Sequence, residues 1–296
     1  MSYPGITPTK FGRYAVAEPP RLDRMHLWQG QSLREVDHEP PLPVLDQEDL
    51  FAQQIDVSAL VPGAQRVDAL GSCTCQAGTV SLAERWHAQR GHLPKLLGRQ
   101  LGADTRLDEC AAILLYHAVT AQTGDPATEW PPTDCGSTGL YVCAELERLG
   151  LTKGYRSAHD VTSLVSLLQS GTVIQGTPWF RAWMEPDSMG FVDGEGTVSD
   201  LQDAIGSGVV GFVDGEGTVA DFQAAIASGV VGGHETCISA VERLTFDALG
   251  RIVPEQSHVR VRNSWSASWG DHGSFRLHLS TLALLGSHAD YKQFVV

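Results

Sequence analysis

The spacing of apolar residues changes along the chain at about Gly171, and this change limits the fold more than any other feature. Upstream, apolar residues recur every three or four positions, which predicts helices over residues 73–90, 108–121, 137–149 and 160–169. Downstream, short β-branched and apolar runs predict strands at 172–174, 234–244, 258–262 and 274–278. Helices followed by strands predict an α+β protein with two lobes, whose boundary lies near residues 155–172.

The first sixty residues differ from the rest in being rich in proline and charge. Segments such as Glu-Pro-Pro at 18–20 and Glu-Pro-Pro-Leu-Pro at 39–43 favour extended chain over helix. We therefore predict an N-terminal arm or strap over residues 1–60, with a removable pro-segment as the alternative. The helical lobe then covers residues 61–165, and the β-rich lobe covers residues 166–296.

The overall charge limits the kinds of partner that this chain can bind. Its 296 residues carry a formal net charge of −14, which argues against nucleic acid and anionic membrane surfaces. No apolar run approaches the roughly 18 residues of a membrane span. The N-terminus lacks the apolar stretch of about 7–15 residues found in signal peptides. These features predict a cytoplasmic location, and membership of a larger particle stays open.

The strand half of the chain contains a tandem repeat. Residues 190–210 and 211–231 are adjacent 21-residue copies that are identical at 17 positions. Two copies are too few for a solenoid, so we interpret them as a duplication tolerated on the surface. Each copy contains Asp-Gly-Glu-Gly-Thr, which resembles part of a calcium loop. Because Ala204 and Ala225 stand where such a loop needs a carboxylate, we reject a calcium site.

Three short segments supply reactive groups in a fixed order along the chain. They are Gly-Ser-Cys at 71–73, Gly-Gly-His at 232–234 and Asn-Ser-Trp at 263–265. Together they provide a thiol, an imidazole and an amide, the groups that a thiol-nucleophile hydrolase requires. Cys73 directly precedes a predicted helix, whose N-terminus favours thiolate over thiol. Each residue alone also fits a structural role, as a buried cysteine, a strand-end histidine or a turn asparagine.

Taken together, these segments resemble the papain-like cysteine peptidases. Gly-Ser-Cys-Thr at 71–74 resembles the bacterial form of the nucleophile segment, and Gly-Gly-His-Glu at 232–235 resembles the histidine strand. Residues 263–273 resemble the Asn-Ser-Trp-Gly-x-x-Trp-Gly-x-x-Gly signature, with Ser266 in place of its first glycine. The resemblance implies a helical left lobe and a β-rich, barrel-like right lobe, with an active-site cleft between them.

The resemblance also implies a set of site residues and a peptide or protein substrate, with no cofactor and no metal. The family's glutamine oxyanion donor stands six residues before the nucleophile, where this chain has Val67. Gln65 is the nearest substitute, and it requires a reshaped loop. Thr74 also replaces the tryptophan common in the family. The expected residues are Cys73, His234 and Asn263 for catalysis, Gln65, Trp265 and Trp269 in support, and Gly136, Ser137, Gly232 and Gly233 for substrate binding.

Other interpretations of the same residues remain open or are rejected on their spacing. A non-catalytic papain-like binding or assembly module is the main alternative, because of Val67 and the nearby repeat. A further alternative is a different thiol hydrolase that cleaves amide bonds, such as a peptidoglycan amidase. A zinc site is rejected because Cys-x-Cys is tighter than the usual ligand spacing; its ligands would be Cys73, Cys75, His87 and His92. We expect the six cysteines to be reduced, although one disulfide is compatible with the sequence.

Overall fold

The computed structural model describes residues 32–94, 107–122, 128–194 and 229–296. The first 31 residues of the predicted arm lie outside the described residues, and so do positions 195–228, which hold most of the tandem repeat. The predicted surface position of the repeat therefore concerns residues that lie mostly outside the described part of the chain.

The helices begin and end where the sequence provides capping residues. Asp108 and Asp160 accept hydrogen bonds from the N–H groups of Ala111 and Ser163, and Gly91 ends the longest helix in the left-handed conformation at φ 71°. All four predicted helices are confirmed to within about two residues at each end. The helices are α1 (Val57–Leu60), α2 (Cys73–Arg90), α3 (Glu109–Ala121), α4 (Gly139–Arg148), α5 (Val161–Leu168) and α6 (Leu279–Leu285).

The strands form one antiparallel sheet in the order β2-β7-β3-β4-β5-β6, and β1 pairs with β4. The predicted α+β class is confirmed, but the sheet is open, since its end strands β2 and β6 do not pair in the described part of the chain. Strands β2 and β7 were not predicted. The strands are β1 (Val36–Asp37), β2 (Tyr155–Ala158), β3 (Val173–Phe180), β4 (Val230–Arg243), β5 (His258–Arg262), β6 (Ser274–His278) and β7 (Asp290–Phe294).

Two hydrophobic cores lie on either side of the region where α2 meets the sheet. One core is built mainly from α2, α3 and α4, and the other lies between the sheet and helices α5 and α6. The first 13 residues of α2, from Cys73 to Arg85, are all buried, because this helix packs against the other helices and against β4. A helix buried on all sides fixes its own first residue firmly in relation to both cores.

The described part of the predicted arm is tied to the sheet by backbone hydrogen bonds. Val36 pairs with Val241 on β4. Further along, the N–H of Gln47 donates to the carbonyl of Ser264 over 3.1 Å, and the N–H of Leu70 donates to the carbonyl of Gln47 over 3.0 Å. Within the predicted arm, we use the name strap from here on for residues 42–47 alone. It joins the segment that leads into α2 to the segment that follows β5.

The six cysteines all lie in described residues, and none forms a disulfide bond. No described helix has both the length and the apolar character needed to cross a bilayer.

Candidate active site

Cys73 is the first residue of α2, directly after its N-cap residue Ser72. The first turn forms because the carbonyl of Ser72 accepts the N–H groups of Cys75 at 2.9 Å and Gln76 at 3.0 Å. The N–H groups at this end point away from the helix, so the Cys73 sulfur is placed at the positive end of the helix dipole. The side chain is fully buried. The helix N-terminus favours a thiolate over a thiol, whereas burial opposes the charge.

His234 and Asn263 form a direct side-chain hydrogen bond of 2.7 Å between Nε2 and Oδ1. The same Oδ1 accepts the N–H of Ser264 at 2.8 Å, which identifies that atom as an acceptor. Nε2 of His234 must therefore carry the proton and donate it. This tautomer leaves Nδ1 as the nitrogen that exchanges protons with other groups.

Aromatic rings surround the imidazole of His234. Trp265 stacks on it with centroids 4.7 Å apart and an interplanar angle of 20°, and Trp179 presents an edge at 4.8 Å. Trp269 packs edge-on against Trp265 at 5.2 Å, and its indole N–H donates to the carbonyl of Met184 at 2.8 Å. These rings exclude water from the His234–Asn263 bond, which strengthens that bond in the low local dielectric.

A continuous chain of contacts joins the His234 side of the site to the Cys73 side. Asn263 is followed by Ser264, whose carbonyl accepts the N–H of Gln47. The carbonyl of Gln47 in turn accepts the N–H of Leu70, three residues before Cys73. These hydrogen bonds link the segment after Asn263, through the strap, to the segment that leads into Cys73.

Comparisons with known proteins agree with this architecture at the level of the fold. A scan against protein-family models found no match, and a search of curated protein sequences found none either. The chain is similar to the solved structure of digestive procathepsin L 3 from the larval midgut of Tenebrio molitor, with 12% identity and a TM-score of 0.50, over 98% of this chain and 78% of that one. The chain has a papain-like fold.

Two further solved structures were matched. Xylellain, a cysteine protease from Xylella fastidiosa, has 15% identity and a TM-score of 0.45 over 97% of each chain. Bromelain protease from Ananas comosus, solved in complex with the E64 inhibitor, has 14% identity and a TM-score of 0.43 over 88% of this chain and 98% of that one.

Within this papain-like fold, the strap provides a glutamine that the sequence analysis missed. Gln47 is fully buried, and its Oε1 accepts the hydroxyl of Ser264 at 3.0 Å, which fixes the direction of its amide NH₂. Gln65 is exposed, and Val67 packs against the first core. If residues 48–67 are treated as an insertion into the family pattern, Gln47 stands six positions before Cys73, which is the spacing of the family's glutamine. Allowing for such an insertion would have identified Gln47 from the sequence.

A buried carboxylate connects the nucleophile segment to the predicted substrate segment. Asp134 accepts the N–H of Gly71 at 2.9 Å and the hydroxyl of Tyr116 at 2.7 Å. The hydroxyl oxygen of Tyr116 accepts the N–H of Gly136 at 2.9 Å. Burial raises the pKa of Asp134. Gly136 has φ 80°, a conformation that favours glycine, and it lies buried beside Ser137.

Asp134→Ala is expected to lower the free energy of unfolding by about 2–4 kcal/mol, because it leaves the buried N–H of Gly71 and the hydroxyl of Tyr116 without their acceptor. Urea denaturation followed by circular dichroism measures this change. Asp49→Ala is the matched control, since Asp49 is exposed and its carboxylate accepts the N–H of Ala52 in a turn. A loss for Asp134→Ala no larger than that of the control would contradict the argument.

The remaining predicted residues take defined positions. Gly232 and Gly233 precede His234 on β4 and pair with Trp179 and Pro178 of β3. Ser266 adopts φ 68°, a left-handed conformation that favours glycine. Its hydroxyl supports the turn by accepting the N–H of Ser268 at 3.1 Å.

The rejected zinc ligands do not converge. Cys73 and Cys75 are buried, whereas His87 and His92 are exposed further along the chain. In the described ranges, no three His, Cys, Asp or Glu side chains are placed to hold a metal ion.

Proposed function

We propose that the protein is a papain-like cysteine peptidase of the bacterial-type branch that hydrolyses peptide bonds. The observation that carries the proposal is the buried His234–Asn263 hydrogen bond of 2.7 Å, joined through the strap to the segment that starts α2 at Cys73. The papain-like fold supports the same chemistry. The substrate is a protein or peptide, in accordance with the acidic charge of −14, which disfavours nucleic acid.

In the first half of the reaction, the Cys73 thiolate attacks the carbonyl carbon of the peptide bond. The tetrahedral intermediate collapses to a thioester as the C–N bond breaks, and the His234 imidazolium gives its proton to the leaving amine. His234 then removes a proton from water, and the resulting hydroxide attacks the thioester. The acyl product leaves as a carboxylic acid, and Cys73 regains its thiolate beside protonated His234. Asn263 holds the imidazole in one orientation throughout.

The oxyanion of each tetrahedral intermediate needs hydrogen-bond donors. The backbone N–H of Cys73 is one candidate, because Cys73 is the first residue of α2 and its N–H lies at the positive end of the helix dipole. The side-chain amide of Gln47 is the second, since its oxygen is held by Ser264 and its NH₂ is thereby oriented. Gln65 remains the alternative that the sequence suggests, and the two glutamines are distinguished by mutation.

The lobe limits 61–165 and 166–296 are part of the proposal. The two hydrophobic cores support a division into two lobes, since one core is formed mostly before residue 152 and the other mostly after residue 157. The second core includes Ala158, Leu164 and Val165, so the cores divide earlier than the predicted limit at residue 165. The cytoplasmic location and the surface role of the repeat at 190–231 remain predictions.

The test is the alkylation rate of each cysteine by iodoacetamide at pH 7, followed by peptide mapping. Cys110 and Cys135 are partly exposed and serve as internal references, whereas Cys73 is fully buried. We expect Cys73 to react faster than both references despite its burial, because only a thiolate is nucleophilic. His234→Ala is expected to remove this advantage, and the wild-type protein is expected to hydrolyse casein.

Two outcomes would reject the proposal. If Cys73 reacts no faster than Cys135, the thiol is not activated and a non-catalytic module fits better. If Cys73 is activated but only cell-wall peptidoglycan is cleaved, the protein is a thiol amidase of another class.

A further inference from the structure

Glu109 places a buried carboxylate between two segments of the site without itself belonging to the triad. It is the first residue of α3 and is 5% exposed. Its Oε2 accepts the backbone N–H of Asp46 at 2.8 Å, and its Oε1 accepts the side-chain NH₂ of Gln76. Both carboxylate oxygens therefore act as acceptors. A buried carboxylate in this arrangement is fully engaged only in its charged form.

Each partner of Glu109 leads to a different part of the site. Asp46 belongs to the strap and directly precedes Gln47, the proposed oxyanion donor. Gln76 lies in the first turns of α2, and its Nε2 also donates to the hydroxyl of Ser72 at 3.1 Å. Ser72 directly precedes Cys73. One carboxylate thus holds both the strap and the start of the nucleophile helix.

We propose that Glu109 is a positioning residue whose negative charge aligns the strap with the start of α2, so that protonation of Glu109 separates Gln47 from the nucleophile. This inference rests on the proposed peptidase function for its catalytic consequence. Its structural consequence, the attachment of the strap, does not depend on that function.

Burial raises the pKa of Glu109 to about 7, and this increase brings its titration into the physiological range. The hydrogen bonds from the Asp46 N–H and the Gln76 side chain lower this pKa and only partly offset the effect of burial. The negative charges of Asp46 in the strap and Asp108 at the α3 cap raise it further. Helix α2 contributes the neutral Gln76, and α1 has no ionisable side chain. Helix α4 carries an ion pair of Glu145 with Arg148.

Protonation replaces one acceptor oxygen of Glu109 with a hydroxyl group. That hydroxyl oxygen is a weaker acceptor than a carboxylate oxygen, so the bond from the N–H of Asp46 or the NH₂ of Gln76 is weakened. The strap is therefore expected to loosen as the pH falls through about 7. We expect kcat to fall on the order of tenfold with a smaller change in KM, since one buried hydrogen bond is lost.

The free energy of global unfolding is expected to change in the opposite direction. Global unfolding exposes Glu109 to water, whereas loosening of the strap alone removes the Asp46 hydrogen bond and leaves Glu109 buried beside Gln76. The pKa of Glu109 in the folded state is raised from 4.5 to about 7, so its contribution to stability is fully present below 4.5 and is lost as the pH rises to about 7. A purely structural residue would change activity and stability in the same direction. Activity that falls while stability rises at low pH would therefore identify Glu109 as a positioning residue.

The experiment measures hydrogen-exchange protection factors of a peptide that covers the strap, at pH 6 and pH 8, in the wild-type protein and in Glu109→Gln. We expect the wild type to show at least about fivefold higher protection at pH 8 than at pH 6. Glu109→Gln is expected to show low protection at both values, because its amide offers one acceptor oxygen instead of two. Glu147→Gln is the control, since Glu147 is exposed on α4.

The wild-type comparison needs no variant, so it stays valid if Glu109→Gln does not fold. Equal protection at both pH values, or a pH dependence retained in Glu109→Gln, would overturn the inference. If the protection of the strap depends on pH but the protein hydrolyses no peptide, the peptidase function alone is refuted. If the protein hydrolyses peptides but the protection of the strap does not depend on pH, this inference alone is refuted.

Discussion

Cys73→Ala is expected to lower kcat for peptide hydrolysis by at least about 10⁴-fold, the scale seen when the nucleophile of a triad is removed. Without the sulfur no thioester forms, and the remaining groups only position water. Cys73→Ser is expected to be similarly inactive, because an alcohol is far less ionised than a thiol at neutral pH. Hydrolysis of casein or a fluorogenic peptide measures both variants.

Cys75→Ala is the matched control for this prediction. Cys75 lies two residues further along α2 and is also fully buried, but burial raises the pKa of its thiol well above the usual value. An unactivated thiol contributes packing rather than chemistry, so kcat should be retained. Activity retained by Cys73→Ala, or lost equally in both variants, would contradict the assignment of the nucleophile.

The local elements of this fold were predictable because their signals lie within short stretches. The caps Asp108 and Asp160 and the terminating Gly91 set helix limits that the structure reproduces. The alternation at 258–262 gave β5 its correct bounds. Strands β2 and β7 were missed because each is short and the two pair with each other from distant parts of the chain. Ser157 pairs with Lys292, for example, 135 residues away. Pairing over such a distance leaves no local pattern.

The site shows the same division between local and distant information. Cys73, His234 and Asn263 stand in recognisable local sequences, and their roles remain predictions that the geometry supports. The role of the strap could not be found in the same way, because Gln47 and Leu70 are 23 positions apart in sequence but are joined by a backbone hydrogen bond. Counting back from Cys73 along the chain reaches Val67, which packs against a core instead.

Gln47→Ala is expected to lower kcat by about 10²–10³-fold with little change in KM, the usual effect of removing one oxyanion donor. The effect falls on kcat because the donor interacts with the charge that develops in the transition state rather than with the ground-state carbonyl. Gln47→Glu is the sharper variant. It keeps an oxygen that accepts the hydroxyl of Ser264, but it replaces the NH₂ group with a negatively charged oxygen, so it should be at least as impaired.

Two further variants separate donation from packing. Ser264→Ala removes the hydrogen bond to Gln47 Oε1 and keeps the amide, so its loss in kcat should be well below that of Gln47→Ala. Gln65→Ala tests the alternative glutamine, which is exposed. If Gln65→Ala loses activity while Gln47→Ala keeps it, the loop before Cys73 supplies the donor and the strap does not. If Ser264→Ala is as impaired as Gln47→Ala, the strap acts by holding the site together rather than by donating to the oxyanion.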